Sequence, residues 1–594
     1  MGLMQKAVET YRCHEKYAGK YREGHTVLAP VSHIVVSAGI EIMLDKDGNL
    51  CSVSAVDKSE PKILIPATPD SAGRTSSKAC AHPLSDQLCY LAPYNQKKYQ
   101  NYIETLTKWY ESEYSHPKLH SILIYVKRGT ILEDLSRAGL IKLKDDGTPN
   151  NEKLIVRWRV LDCGDEDACW RDLTLMRSFT NYYREIGSDT DKNICMITGD
   201  NTFISKNNPK GIVPFHPNAK LISVNDYTNF TFRGRFSEDW QASTVGYEAS
   251  QMAHNVLKWL ATEQGSQTVF GGRTFLCWNP QGKKVQQVTG PFMLNTEPIV
   301  KPTDYRDKLK KTLSGCRSEL PEKEGVVIAA FDAATSGRLS LTYYNELAGS
   351  DFLQRLYDWD LHCCWISYKY GIQSPFLKDI VNYAFGTQRT ENKKARMVTD
   401  DKIMSQQMQR LVSCRIDRAK FPSDIVMALL HSASAPLSHE VNLRENILFT
   451  ACAVIRKYRF DKFKEEWEMS LEPEKKDRSY QFGRLLAVME KAERDTYDKE
   501  TAREPNAIRQ QSVFCQRPMY AAANIHKQLE QAYLPRLKPG IRVFYKNLMG
   551  QIMEQINSYP RNQWNAPLKE TYLMGYYLQR NALYTKKNQN TEEN

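Results

Sequence analysis

Strand-type patterning stops near Asn345, and nothing else in the chain constrains its fold as strongly. Before that point Ile40, Ile42 and Leu44 alternate toward Asp47-Gly48, and Leu50, Val53 and Val56 continue beyond it, the pattern of a β-hairpin. Further strand-like runs fall at Ser121 to Val126, Leu154 to Val160, Ile194 to Thr198 and Lys220 to Val224. Between them lie helix-like stretches: residues 4 to 17, Asn95 to Tyr114, and Ser250 to Thr262, whose stripe of Met252, Val256, Trp259 and Leu260 stops before a capping Gly265. After Asn345 the 3.6-residue period dominates, over Leu353 to Tyr370, Met404 to Val412 and Asn446 to Tyr458. Gln388 to Lys394 and Glu472 to Arg478 are charged and predict exposed loops. The fold class expected is therefore α+β, a mixed N-terminal region followed by a mainly α half that ends in a helical bundle.

The chain's 594 residues are too many for one core. Three regions are expected: 1–344, mixed α and β; 345–468, mainly helical; and 469–594, a basic bundle. In the last, Phe482, Leu485, Leu486 and Met489 share one helical face, as do Tyr545, Leu548, Met549, Ile552 and Ile556. Pro535, Pro539-Gly540 and Pro560 divide it into short helices. These 126 residues hold 20 Lys and Arg against 14 Asp and Glu, half of the chain's net charge of +12. Lys464, Glu465 and Glu466 precede Met469 by the spacer Trp467-Glu468, and their codons can spell a purine-rich ribosome-binding sequence. Met469 is thus a candidate internal start.

The net charge of +12 favours a polyanionic partner, since neutralised phosphates release counterions. No run approaches the roughly 18 apolar residues of a membrane span, and charges at Lys6, Glu9 and Arg12 interrupt any signal-peptide core, so a cytoplasmic protein is expected. Fourteen cysteines without a Cys-x-x-Cys pair suit buried thiols in a reducing compartment, and no metal or other cofactor is expected. Gly282-Lys283-Lys284 lacks the remainder of a P-loop, and the common hydrolase and dinucleotide motifs are absent. Asp332, closing the apolar run Val326 to Phe331, is read either as a turn residue or as a nuclease carboxylate without an evident partner.

Binding features are richer. Residues 62 to 93 are full of helix breakers, and within them GRTSSK places Arg74, Thr75, Ser76, Ser77 and Lys78 on a loop, with Gln87 close behind. Cations and hydroxyls of this kind grip phosphates and reach groove edges. Arg233-Gly234-Arg235 and Gly337-Arg338 set guanidinium groups beside flexible backbone, where they suit either phosphates or structural ion pairs. Lys283 and Lys284 are further candidates for nucleic-acid contact.

Five stretches, in order, carry a resemblance: GRTSSKACAHPLSDQLCYL from 73, AKLISVNDYTNFTFRGRF from 219, GYEASQMAHNVLKWL from 246, FDAATSGRLSLTYYNEL from 331 and ETYLMGYYLQRNALY from 570. Together they resemble the large subunit of the subtype I-C CRISPR interference complex, Cascade. One departure is visible at Leu578, where the family's terminal Gly-Tyr-Tyr-His-Gln-Arg carries His, so the motif reads as a helix-packing element.

The resemblance implies a non-catalytic subunit of an RNA-guided machine that recognises a PAM similar to 5′-TTC in double-stranded DNA, helps open the duplex and holds the displaced strand. It implies as partners the guide RNA, target DNA, the backbone and guide-processing subunits, and a helicase-nuclease that cuts. It also implies a small subunit translated from within the same gene, consistent with Met469. On this reading residues 1–344 anchor at the guide's 5′ end and probe the duplex for the PAM, with Arg74, Thr75, Ser76, Lys78 and Gln87 as the PAM-loop candidates. In the terminal bundle Tyr480, Tyr497, Tyr576, Tyr577 and Arg580 are candidates for strand contact, although most of these aromatics are expected in the core. The alternatives are a metal-dependent nuclease using Asp332 and a structural scaffold that does not touch DNA.

Overall fold

The computed structural model describes residues 2–74, 79–188, 192–205, 207–223, 236, 239–263, 266–292, 294, 298–367, 369–392, 394–498 and 503–589. The chain divides into two compact units, Met1–Val285 with Gly325–Glu346, and Gln286–Glu324 with Leu347–Asn594.

The first unit holds two main sheets. Ile40–Leu44 pairs antiparallel with Leu50–Ala55 across the turn read at Asp47-Gly48, and parallel with Val156–Val160 on its other side. Ile42, Leu44, Trp158 and Val160 pack under the helices Gln96–Tyr110, Pro117–Arg128 and Leu173–Ser188, which contribute Trp109, Ile122 and Phe179. The second sheet has the order Arg338–Ala348, Gly325–Thr335, Arg273–Trp278, Gln267–Phe270. Its Val327, Ala329 and Phe331 share a core with the opening helix Leu3–His14 and the helix Tyr247–Leu260. That last helix stops on Ala261, earlier than expected, and Gly265 lies outside the described residues.

One of the expected strands is replaced by a helix, and another is cut short. Ser121 to Val126 belongs to the helix Pro117–Arg128, opened by Pro117 and closed by Gly129 at φ 73°. Leu119, Ile122, Tyr125 and Val126 are all buried, and a helix covered on most sides shows an unbroken apolar run that mimics a strand. At Ile194 to Thr198 only a short strand forms, Lys192–Ile194 against Asn201–Phe203. Of Lys220 to Val224, only Lys220 makes bridges among the described residues.

The second unit is mainly helical, with two small hairpins that the sequence pattern hides. One, Trp365–Ser367 with Gly371–Gln373, ends the helix expected to run to Tyr370 at His362 instead. The other, Thr387–Glu391 with Lys394–Val398, occupies the segment read as a charged loop. Its first strand, TQRTE, is solvated on both faces, so no apolar alternation marks it. Fully buried Arg415 ties residues 286–292 into this unit: it donates to the carbonyls of Val288 (2.9 Å) and Gly290 (2.5 Å) and pairs with Asp360 at 3.2 Å.

Helices Arg478–Arg494 and Thr571–Gln589 form the axis of the unit. A Cβ at Gly483 would overlap the carbonyl oxygen of Tyr572, and one at Gly575 that of Tyr480, so the two backbones touch where both residues are glycine. The terminal motif is built around this crossing. Tyr576 donates to Glu490, Gln579 accepts from Arg484 at 3.0 Å, and Leu578 is buried where the family's His is expected. Tyr480 and Tyr577 are core residues, and Tyr497, half-buried, donates to Glu493 at 2.6 Å. The segment 469–594 also packs on the preceding helix Val441–Phe463, through Arg459 to Glu570 (3.1 Å) and Arg580 to Glu445 (2.8 Å). Met469 is itself buried.

Gly575→Ala or Gly483→Ala should cost about 3 kcal/mol or more, because backbone rather than a flexible side chain must yield. Gly550→Ala, on an exposed helical face with open space, should stabilise by about 0.5–1 kcal/mol. Thermal unfolding of the three variants beside the parent chain distinguishes these opposite signs.

Candidate nucleic-acid interface

The short helix Pro69–Gly73 is fixed at both ends. Thr68 and Ser71 cap it reciprocally, with Ser71 N to Thr68 Oγ1 at 3.1 Å and Thr68 N to Ser71 Oγ at 2.9 Å. At its far end Arg74 turns inward. Its guanidinium donates to both oxygens of the fully buried Asp86 carboxylate (2.7 and 2.5 Å) and to the carbonyl of Cys80 (2.9 Å), and it lies over the Tyr90 ring at 4.3 Å. Asp86 also accepts the backbone N–H groups of His82 and Gln87, each at 2.7 Å. His82 stays neutral, since burial lowers its pKa to about 4. Arg74 and Cys80 are thereby clamped together.

The same helix reaches two distant segments through Asn207 and Lys220. Asn207 Nδ2 donates to the carbonyl of Pro69 at 3.1 Å, and Lys220 Nζ donates to Asn207 Oδ1 at 2.5 Å. The backbone of Lys220 is zipped to the tip of the long hairpin: its N–H donates to Gly337 O at 3.0 Å and its carbonyl accepts from Leu339 N at 2.9 Å. Lys210 bridges the other side of Lys220. Burial, followed by the repulsion of Lys210, lowers the pKa of Lys220, with Asp70 opposing. Two of the stretches singled out by sequence, beginning at 219 and 331, therefore meet at Lys220, and the short helix that leads into the stretch from 73 is tied to them through Asn207.

The sequence candidates fall on both sides of this picture. Arg74 is a structural ion pair rather than an open phosphate ligand. Gln87 caps the helix Leu88–Leu91, bridges Ile155 through its backbone and receives the Cys89 thiol on its side chain at 3.7 Å. Thr75, Ser76 and Lys78, with Arg233 and Arg235, lie outside the described residues. Arg338 is exposed at the hairpin tip, one residue from the carbonyl that Lys220 grips. Lys283 and Lys284 are exposed on a turn held by Asn279 Oδ1, and no hydrogen bond or ion pair among the described residues links them to Lys220. Arg580 is engaged with Glu445 inside the second unit. Asp332 neither turns the chain nor joins a metal cluster: it sits within the strand Gly325–Thr335 and accepts from Arg273 at 2.8 Å. Among the described residues no group of three or more His, Cys, Asp or Glu is placed to hold a metal ion.

Comparison with known families decides the setting of this junction. The model of the CRISPR-associated protein family Cas_Csd1 matches residues 11–584. The chain belongs to that CRISPR-associated family. No curated protein matches it. Membership gives it the role of a Cascade subunit, and it takes in every segment that builds the Lys220 junction. No helix among the described residues is long and apolar enough to cross a membrane.

Sequence reasoning missed Asn207, Lys210 and Lys220 as members of a common site. The Asn-Asn-Pro-Lys-Gly run at 207–211 is a turn signal, but neither period nor spacing says that this turn meets Pro69 and Gly337. Arg74→Ala should cost about 3–5 kcal/mol, because it strands the buried Asp86 carboxylate. Chemical unfolding of the variant checks this, and a fall in stability must be seen before any change in nucleic-acid affinity is assigned to lost phosphate contact.

Proposed function

We propose that this chain is the non-catalytic large subunit of a subtype I-C Cascade, and that its first unit probes duplex DNA for the PAM with the surface around Lys220. The observation that carries the reading is that the stretches beginning at 219 and 331 meet at Lys220, where Asn207 ties in the helix that leads to Arg74. The clamp formed by Arg74 and Asp86 supplies a stiff base for residues 75–78, which read groove edges or wedge the duplex. Lys220, Lys210 and Arg338 hold phosphates. Guide pairing then reads the rest of the target, the displaced strand is held by the complex, and cutting falls to a recruited helicase-nuclease. The guide RNA, the backbone and guide-processing subunits and the small subunit complete the assembly.

Lys220→Ala and Arg338→Ala should each weaken PAM-duplex binding by the assembled complex, and each should lower the slope of log K against log salt by about 0.9, one phosphate's worth. An unchanged slope in both variants would remove the junction from the DNA surface. A scaffold without DNA contact predicts that outcome.

The terminal bundle is, on this reading, also made as a separate small subunit starting at Met469. Release from the long chain frees Glu570 and Arg580 from Arg459 and Glu445, so the short product presents a surface that the full-length chain covers. Met469→Leu, encoded by a non-initiating codon, keeps a buried side chain of similar volume and should abolish a C-terminal product while full-length protein persists. Immunoblotting with a C-terminal tag gives the answer, and persistence of the short band sinks the internal start.

A further inference from the structure

A cavity of about 990 Å³ lies within the first unit. Residues 21–29, 59–62 and 211–217, the strand His33–Ser37 and the helix Tyr247–Leu260 contribute to its walls, with Arg157, Trp170 and Arg171. Its lining carries five Arg or Lys (Arg22, Lys62, Arg157, Arg171, Lys258) against two carboxylates, Glu23 and Glu60. The five are not equivalent. Arg157 is neutralised by Glu41 at 2.5 Å, and Arg171 approaches Glu60 at 3.7 Å. Lys258 has no carboxylate partner among the described residues, and the charge acting on it is a second cation, Lys210. Burial, followed by that repulsion, lowers its pKa to about 8. This part-buried ammonium, without a carboxylate partner among the described residues, shares the cavity wall with Trp259, Ile212, Pro214 and Pro217, a setting that favours an anion beside it.

The opposite features of the cavity suit a flat ring. The Arg171 guanidinium lies over the Tyr21 ring at 5.2 Å and remains 43% exposed, offering a planar cationic face. Arg157 covers Trp170 in the same way at 4.1 Å. The volume is at the upper end of the range for small-ligand sites, about 300–1,000 Å³, and exceeds what a lone phosphate needs. We propose that this cavity binds one nucleotide unit, its phosphate on the Lys258 ammonium and its base against the guanidinium of Arg171. The unit is either a free nucleotide or the 5′-phosphorylated end of a strand. The inference is independent of the DNA-probing surface, because Lys258 takes no part in the hydrogen bonds that build the Lys220 junction.

Titration of the purified full chain, read by the fluorescence of Trp170 and Trp259 and by calorimetry, tests it with four probes: AMP, a 5′-phosphorylated tetrathymidylate, its 5′-hydroxyl form, and inorganic phosphate. Saturable binding of AMP is expected if the source is a free nucleotide, and of the phosphorylated tetramer alone if it is a strand end. The hydroxyl form and inorganic phosphate should bind at least tenfold more weakly. Lys258→Met should weaken the bound probe tenfold or more while leaving Tm unchanged or raised, since it removes a part-buried charge that no carboxylate among the described residues neutralises. Arg171→Ala, at an exposed position, should weaken the nucleotide probe and leave the weak phosphate binding alone. Duplex affinity of Lys258→Met should equal that of the parent. Absence of saturable binding by either nucleotide probe, an affinity within twofold of the parent in Lys258→Met, or inorganic phosphate binding as tightly as AMP overturns the proposal. Loss of duplex binding in Lys258→Met also overturns it, by making this lysine part of the duplex surface.

Discussion

Contact between two helix backbones at Gly483 and Gly575 sets the geometry of the second unit. Bringing two helices this close removes side chains from the crossing and buries polar atoms along both, which must then find partners across the seam. They do: Arg484 meets Gln579 and the carbonyl of Pro473, Tyr576 meets Glu490, and Ser479 accepts the N–H of Lys569. Tyr572 extends the same network to Ser434 on the helix Ser423–Ser434. The terminal Gly-Tyr-Tyr-Leu-Gln-Arg run thus belongs to a packing device, and its polar groups are occupied by the fold itself.

Buried ion pairs perform the corresponding task where the chain departs from regular structure. Arg74 with Asp86 ties the end of the helix Pro69–Gly73 to Cys80, and Arg415 with Asp360 secures residues 286–292. Each guanidinium also donates to backbone carbonyls, so a single side chain satisfies several groups that a loop would otherwise leave unpaired. The conspicuous arginines of this chain are therefore divided. Those with a buried carboxylate hold the chain in place, whereas Arg338 at the hairpin tip is exposed.

Within the first unit a lysine draws distant segments together. Lys220 and Asn207 draw the turn after Pro69, the 207–220 segment and the hairpin tip at Gly337 to one position, although about 270 residues separate the first from the last. Lys210 repels both Lys220 and Lys258, and Asp70 opposes that repulsion at Lys220.

By itself the sequence determined the α+β class, the hairpin at Asp47-Gly48, the long helices, the helical character of the terminal bundle and the CRISPR-associated family, because periodicity and ordered motifs are local properties. It misread Ser121 to Val126, where burial on most sides erased the helical period, and Thr387 to Val398, where exposure on both faces erased the strand period. Only the tertiary structure decided that Arg74 is a clamp, that Asp332 belongs to Arg273, and that among the described residues Lys220 and Lys258 have no neutralising ion pair. Those outcomes depend on which charges meet across distant segments, and a desolvated charge is governed by its neighbours in space rather than by its neighbours in the chain.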